Sequence, residues 1–539
     1  MQKRAVGIER LPKIVGADTE LGNFLEGVEH QGGTGRLASQ LLLRNIDGIP
    51  GSSYSGYSAN PQDIGRKWLD NGSCCYIDLD HLEMCLPETR SAWDFTAAMH
   101  AQLRLVRNAQ QRAEYDLARG VALRVLACNS DGLGASWGSH LNFLISRRCY
   151  ENLFHRRIHY LLWLASYHAS SILVAGQGKV GAENGAPWID YQISQRADFI
   201  EEIVGLQTTF RRPIVNSRDE TLCGLDSRFA RLHHISSDVN LCHTANILKV
   251  GILQILLAMI ESETVRIRPD EILQDPVQAF SAFSRDPDLC ARQETLDGAE
   301  VSALDLQRRF FDAAAQFVDA GGCEQTVPRP GEILALWGDT LDRLAARDWE
   351  ALSRRLDWVL KRRVLSEVLE DTPGLDWRSP EVKQLDLTYG SLDPADGLYW
   401  ALEAGDCVDL LAPERAIDRF TREPPSDTRA FTRTRLLREF GRAGVVEIDW
   451  DRVRVRANTD RSYYSPSLEV RLDDPGGFTR AETGGLFRQG RAASRGWLLS
   501  ALRAVAAEST QPEYQSGNRR DAGSNNRERT AFTFFRNWG

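Results

Sequence analysis

Between Asn71 and Glu88 the chain reads NGSCCYIDLDHLEMCLPE, and Asp78, Asp80, His81, Glu83 and Glu88 all fall within that short span. Strand-like alternation puts Tyr76, Asp78 and Asp80 on one face, because successive side chains of a strand point to opposite sides. Four acids and an imidazole this close repel and desolvate one another unless a cation, or a proton in transit, compensates them. The pattern allows two readings: a metal-dependent acid/base site, or a strand rim with solvated charges.

A second acidic strand lies upstream. In Lys13 to Gly22, KIVGADTELG, the period of two puts Asp18 and Glu20 on one face. Paired carboxylates suit a hard divalent cation such as Mg²⁺, which takes oxygen ligands and shares them with phosphates. Gly7-Ile8-Glu9 begins similarly but lacks the second acid. Residues 23–70 are rich in Gly, Ser and Asn and are expected to form a flexible lid or insertion loop. Their HQGGTGR lacks the Lys-Ser/Thr ending of a phosphate loop.

Helical spacing over Trp93 to Ala122 precedes a strand, Leu123 to Cys128. In the following NSDGLGASWGSHLNFLISRR, Ser136, His140 and Asn142 are polar within an apolar passage, and Tyr150 to Ala175 is a further helix. Farther on, Arg218 stands beside Asp219 and Glu220, and Arg231 precedes His233 by two. Arginines match planar carboxylates and phosphates through paired donors, although surface ion pairs would produce the same sequence. Beyond Glu261 come charged amphipathic helices, then mixed short elements from about Asp386, and a polar stretch ending in AFTFFRNWG.

At 539 residues the chain exceeds what one core supports, so a large domain and a smaller one are expected. A net charge of −9 without a basic stripe argues against a nucleic-acid partner. The most apolar stretch, Ala245 to Ile260, is interrupted by Asn246, Lys249 and Gln254 and reads as a buried helix rather than a membrane span. Ten cysteines are scattered without CxxC spacing, and the N-terminal segment has no signal-like apolar core, so a cytoplasmic address is expected.

Taken together, these pieces resemble the Pup ligases and Pup deamidases/depupylases, relatives of glutamine synthetase and the carboxylate-amine ligases. VGADTELG is similar to the family's G-x-E-T-E-[FY]-G, and NGSCCYID with HLEMCLPE to NGARLY[LV]D and HPEYSSPE. NSDGLGASWGSHLNFLISR resembles NN-x-D-x-x-G-x-SYG-x-HENYL-x-x-R, and SQRADF through RLHHISSDVN gives the longest match. The resemblance implies an α+β protein: a glutamine synthetase-like antiparallel β-sheet cradle backed by helices over 1–380, a small C-terminal domain over 381–505, and a disordered tail over 506–539. It implies ATP (or ADP) and Mg²⁺ as cofactors, and as partners a Pup-like small protein modifier, its conjugates and a proteasome-like system.

By the same resemblance, Asp78 matches the catalytic aspartate. Asp18, Glu20, Glu83 and His233 match metal contacts; Arg218, Arg231, Tyr76, His140 and Asn142 match nucleotide or substrate contacts; Asp80 and Glu88 are further acidic candidates. Glu83 lies five residues after Asp78, as in the deamidases, whereas ligases have one residue more. The implied activity is an ATP/Mg-bound amidase or isopeptidase acting on the modifier's terminal Gln or Glu. Alternatives are an ATP-dependent Pup–protein ligase, a non-catalytic nucleotide-binding homologue and a small-molecule carboxylate-amine ligase. Several positions depart from the family pattern. Leu141 replaces a Glu, which would remove a carboxylate near the site, Met84 replaces an aromatic, and Thr221-Leu222 replaces Pro-His. Asp18 is one methylene shorter than the usual Glu, which would shift a cation or require a bridging water.

Overall fold

The computed structural model describes residues 8–28, 33–50, 64–456, 467–492 and 494–509. Its organising strand is β1 (Val15–Glu26), whose first half buries Val15, Ala17, Thr19 and Leu21 on one face and leaves Asp18 and Glu20 half-buried on the other. Around it lie β2 (Ile49–Pro50), β3 (Ile64–Trp68), β4 (Cys74–Asp78), β5 (His81–Cys85), β6 (Ala122–Leu126), β7 (Ser139–Ser146), β8 (Ile200–Gly205), β9 (Arg212–Asn216) and β10 (Phe229–His234). They form one ten-stranded sheet in the order β8-β9-β10-β7-β1-β5-β4-β3-β2, with β6 pairing the far half of β1.

The sheet is mixed rather than wholly antiparallel as expected, because β8 and β9 run parallel. The six residues 206–211 between them, extended, reach roughly 20 Å, enough to return along the edge and start β9 beside the beginning of β8.

Helices α1 (Thr34–Asn45), α2 (Ala92–Glu114), α3 (Ile158–Ala175) and α4 (His243–Ser262) contribute to one large core with the back of the sheet. Helix α2 starts where the Ser91 side chain accepts from the backbone N–H groups of Trp93 and Asp94. Every residue of α4 is buried, although the helix is long and apolar enough to cross a membrane. Its polar interruptions are each satisfied by backbone carbonyls: Asn246 Nδ2 by Asn240, Lys249 Nζ by Asp238, and Gln254 Nε2 by Lys13 and Arg90.

Two sequence expectations shift here. Within 23–70, α1 buries Ala38, Leu42 and Leu43 against the sheet and β3 is a sheet strand, so those parts are not loop; 29–32 and 51–63 lie outside the described residues. The smaller domain also begins later than 381. Tyr389, Tyr399 and Phe420 still pack in the large core, whereas a second core gathers Leu436, Phe440, Ile448, Val453, Val470 and Leu499. That C-terminal module consists of α5 (Ala430–Gly444), the antiparallel β11 (Val445–Asp449), β12 (Arg452–Arg456) and β13 (Ser467–Arg471), and helices Arg480–Ala492 and Arg495–Ser509. It packs on Trp68, Cys74 and Cys85 of the large sheet. The tail from 510 on lies outside the described residues.

Candidate active site

The acids meet where β4 and β5 turn back on each other. Asp78 pairs with His81 across a two-residue turn, and farther along Tyr76 lies opposite Glu83, which in turn lies opposite Glu20 of β1. Directly opposite residues share a face, so Glu20, Glu83 and Tyr76 form a row across three strands. One carboxylate oxygen from each of Glu20, Asp78 and Glu83 lies within 4.8 Å of the others. Burial, then the charges of Glu20, Asp18 and Asp78, push the Glu83 carboxyl well above its ordinary range, while the Tyr76 hydroxyl hydrogen-bonded to it works the other way. The Arg66 guanidinium covers the Tyr76 ring 4.8 Å from its centroid.

A second cluster adjoins the first. Asp18 lies opposite His140 of β7, and ligand atoms of Asp18, His140 and His233 lie within 4.8 Å of one another. Asp18 Oδ1 accepts from Asn142 Nδ2 at 2.6 Å, and Asn142 Oδ1 accepts from Arg231 Nη1 at 3.2 Å. Burial, Arg231 and His140 hold His233 well below the usual imidazole range, so it is neutral. Arg218 lines the same cavity but pairs with neither acidic neighbour: Asp219 pairs with Arg147, and Glu220 lies 3.6 Å from Arg231.

These side chains line one cavity of about 1300 Å³. Carboxylates and imidazoles occupy part of its wall, and Arg66, Arg212, Arg218, Arg231 and Arg429 other parts. The site fits a cation: carboxylates converge at a buried Glu83 of raised proton affinity, and both ring nitrogens of His233 are buried without a hydrogen-bond partner among the described residues. The arginines supply donors for phosphate.

Two acidic candidates lie apart from these clusters. Asp80 sits in the turn, not on the strand face: Leu79 takes a positive φ of 51° and the chain reverses before Asp80. The Asp80 carbonyl accepts from Asn23 Nδ2 and Ser39 Oγ, and the residue is exposed. Glu88 is an interface anchor. It receives Arg429 Nε at 2.7 Å and Arg433 through two nitrogens at 2.9 and 2.7 Å, joining the body to the C-terminal module. Burial alone would raise its carboxyl, but Arg433 and Arg429 bring it down to about 2. Leu141 and Met84 face the large core, so Leu141 takes no carboxylate out of the cradle.

Other contributors escape the sequence reading. The strap Ser136-Trp137-Gly138 crosses the cradle, where Gly138 N–H donates to Glu20 Oε2 at 2.8 Å. Buried Arg196 holds the strap through Ser136 Oγ and the Trp137 carbonyl, and Arg212 through the Ser136 carbonyl. From the C-terminal module, Asp449, Trp450 and Pro475 close one wall of the cavity. Arg196 sits among Ile193, Ala197 and Phe199, an apolar neighbourhood that signals burial; nothing local marks Trp450 as a cavity residue.

The family model described as Pup-ligase protein matches residues 38–454. The chain belongs to the Pup-ligase family. Among its relatives, the Pup deamidase/depupylase of Mycolicibacterium smegmatis is 35% identical over 431 residues, covering 79% of this chain and 83% of that protein. The Pup–protein ligase of Acidimicrobium ferrooxidans is 32% identical over 461 residues, covering 82% of this chain and 96% of that protein. The same α+β fold is seen in the crystal structure of the complex between Pup and its ligase PafA, with a TM-score of 0.73 and 24% identity over 94% of this chain and 99% of that one. This Pup-ligase family member thus has relatives named for both directions of Pup chemistry.

Proposed function

We propose that this family member hydrolyses the amide or isopeptide bond at the C-terminal Gln or Glu of a Pup-like modifier, in the deamidase/depupylase manner. The observation that carries the reading is the placement of Asp78 at the end of the β4–β5 hairpin, its carboxylate within 4.8 Å of ligand atoms of Glu20 and Glu83, facing a cavity wide enough for a chain terminus. The slightly greater identity to the depupylase relative supports this branch, as does the five-residue spacing from Asp78 to Glu83, which the two-residue turn fixes.

In this reading Glu20 and Glu83, with Asp18 and His233 beside them, hold Mg²⁺, and the cavity arginines hold ATP or ADP. The bound cation and phosphates would supply positive charge against which the reacting oxygen is polarised. Asp78 acts at the carbonyl carbon as nucleophile or as the base that activates water. Arg218, the site arginine without an ion pair among the described residues, takes the substrate carboxylate, while Arg231 is occupied in orienting Asn142 and hence Asp18.

The test offers the protein a Pup-type polypeptide ending in Gln, and separately a conjugate, with ATP and Mg²⁺. Ammonia release and conjugate cleavage without stoichiometric ADP formation support hydrolysis. ADP release matched to conjugate formation would assign the chain to the ligases, a direction kept open by its 32% identity to a Pup–protein ligase.

A further inference from the structure

The second cluster differs chemically from the first. Glu20, Asp78 and Glu83 offer only oxygen, the donor set of hard ions, whereas Asp18, His140 and His233 offer two imidazoles and one carboxylate. His140 Nδ1 lies 3.8 Å from Asp18 Oδ2. That separation is too long for a hydrogen bond, and a nitrogen lone pair facing a carboxylate is repulsive unless a cation lies between them. Two ligands sharing a transition ion on bonds of about 2.0–2.2 Å stand roughly 3–3.5 Å apart, so a closure of a few tenths of an ångström suffices.

The remaining donors are already arranged for such an ion. His233 is only 3% exposed, and both its ring nitrogens lack a hydrogen-bond partner among the described residues. Burying an imidazole in that state is costly unless something binds it. Asn142 presents its amide nitrogen to Asp18 Oδ1 because its oxygen faces Arg231, a donor with no acceptor atoms. That fixes the short Asp18 carboxylate with Oδ2 turned toward His140.

We infer that Asp18, His140 and His233 form a distinct second cation site that selects a first-row transition ion of the Zn²⁺ type over Mg²⁺. Imidazole donors move the preference that way, while Mg²⁺ remains suited to the carboxylate cluster. The inference rests on the cation-dependent reading above and adds to it a division of labour between two chemically different ions.

The experiment titrates the metal-free full-length protein with Co²⁺, a spectroscopic stand-in for Zn²⁺, in excess Mg²⁺ and without nucleotide or modifier. One equivalent of Co²⁺ is expected to persist, with a visible absorption band. His140→Asn and His233→Asn should each weaken it by about 100-fold or more, beyond what loss of an outer partner costs, while Asp78→Asn keeps it. Complete displacement of Co²⁺ by Mg²⁺ from the parent protein overturns the inference and needs no variant. Unchanged Co²⁺ affinity in His140→Asn does so too. Because no substrate is present, either result is independent of whether the protein proves to be a hydrolase or a ligase.

Discussion

Gly138 lies directly beneath His140: a β-carbon at position 138 would fall 2.1 Å from His140 Nε2. The same glycine donates its N–H to Glu20 Oε2. One residue without a side chain therefore supports both clusters, Glu20 through a hydrogen bond and His140 through a close approach. Gly138→Ala is expected to displace the imidazole from Asp18 and weaken cation binding at the His140 cluster. The fold should survive at an overpacking cost of about 1–3 kcal/mol. Calorimetric titration with a divalent cation, beside a thermal melt, checks both parts. A variant that melts lower yet binds as tightly as the parent would contradict the positional role.

Asp78→Asn preserves shape while removing the charge that acts at the carbonyl. Turnover is expected to fall by about 10²–10⁴-fold, with nucleotide affinity retained, since the cavity arginines are untouched. Equal activity in parent and variant would mark the chain as a binding protein only. Single-turnover cleavage together with equilibrium nucleotide binding separates the two.

At the interface with the C-terminal module, Glu88 is ionised far below the ordinary carboxylate value of 4.5, down to about 2. A folded-state carboxyl lowered in this way contributes stability that is present above pH 4.5 and is lost as pH falls toward 2. The span corresponds to about 3 kcal/mol. Glu88→Gln should flatten that part of the acid-unfolding curve. At neutral pH, Arg433→Met, which strips Glu88 of its bidentate partner, should destabilise the protein by about 3–5 kcal/mol. Urea denaturation as a function of pH measures both.

His243 makes a separate acid-labile joint. Its Nδ1 accepts from the backbone N–H groups of Leu411 and Ala412, and burial holds it down at about 4 against an ordinary 6.5. A proton on Nδ1 would turn that acceptor into a donor facing two donors. A depressed imidazole stabilises the fold above pH 6.5, and this contribution is lost as pH falls from 6.5 toward 4, at up to about 1.4 kcal/mol per pH unit. His243→Asn keeps an acceptor near the Nδ1 position and should remove one such increment from the slope. An unchanged slope would place the acid sensitivity elsewhere.

Much of the cradle was legible in the chain because strand alternation is a local rule. Asp18 and Glu20 share a face of β1, and Tyr76 and Asp78 share one of β4, as the period of two requires. What the rule does not mark is where a strand stops. The turn after Asp78 uses Leu79 at positive φ, with no Gly or Asn to announce it, and so Asp80 leaves the face that counting assigned it. Glu88 was beyond local reading because its partners lie more than 340 positions away. The same distance hid the wall built by Asp449, Trp450 and Pro475. Leu141 looked like a lost ligand only while its side of β7 was unknown; His140 and Asn142 face the cavity, and it faces the core.

Trp68, Cys74 and Cys85 belong to the large sheet but are packed by the C-terminal module. A protein ending before Ala430 would keep every acid and imidazole of the two clusters and still be an open trench. Bare apolar surface would then replace the packing beside the hairpin that presents Asp78, and water would enter where Trp450 now stands. The last eighty or so described residues are thus a retaining wall for the chemistry rather than an appendage, and they cannot be trimmed away in search of a minimal enzyme.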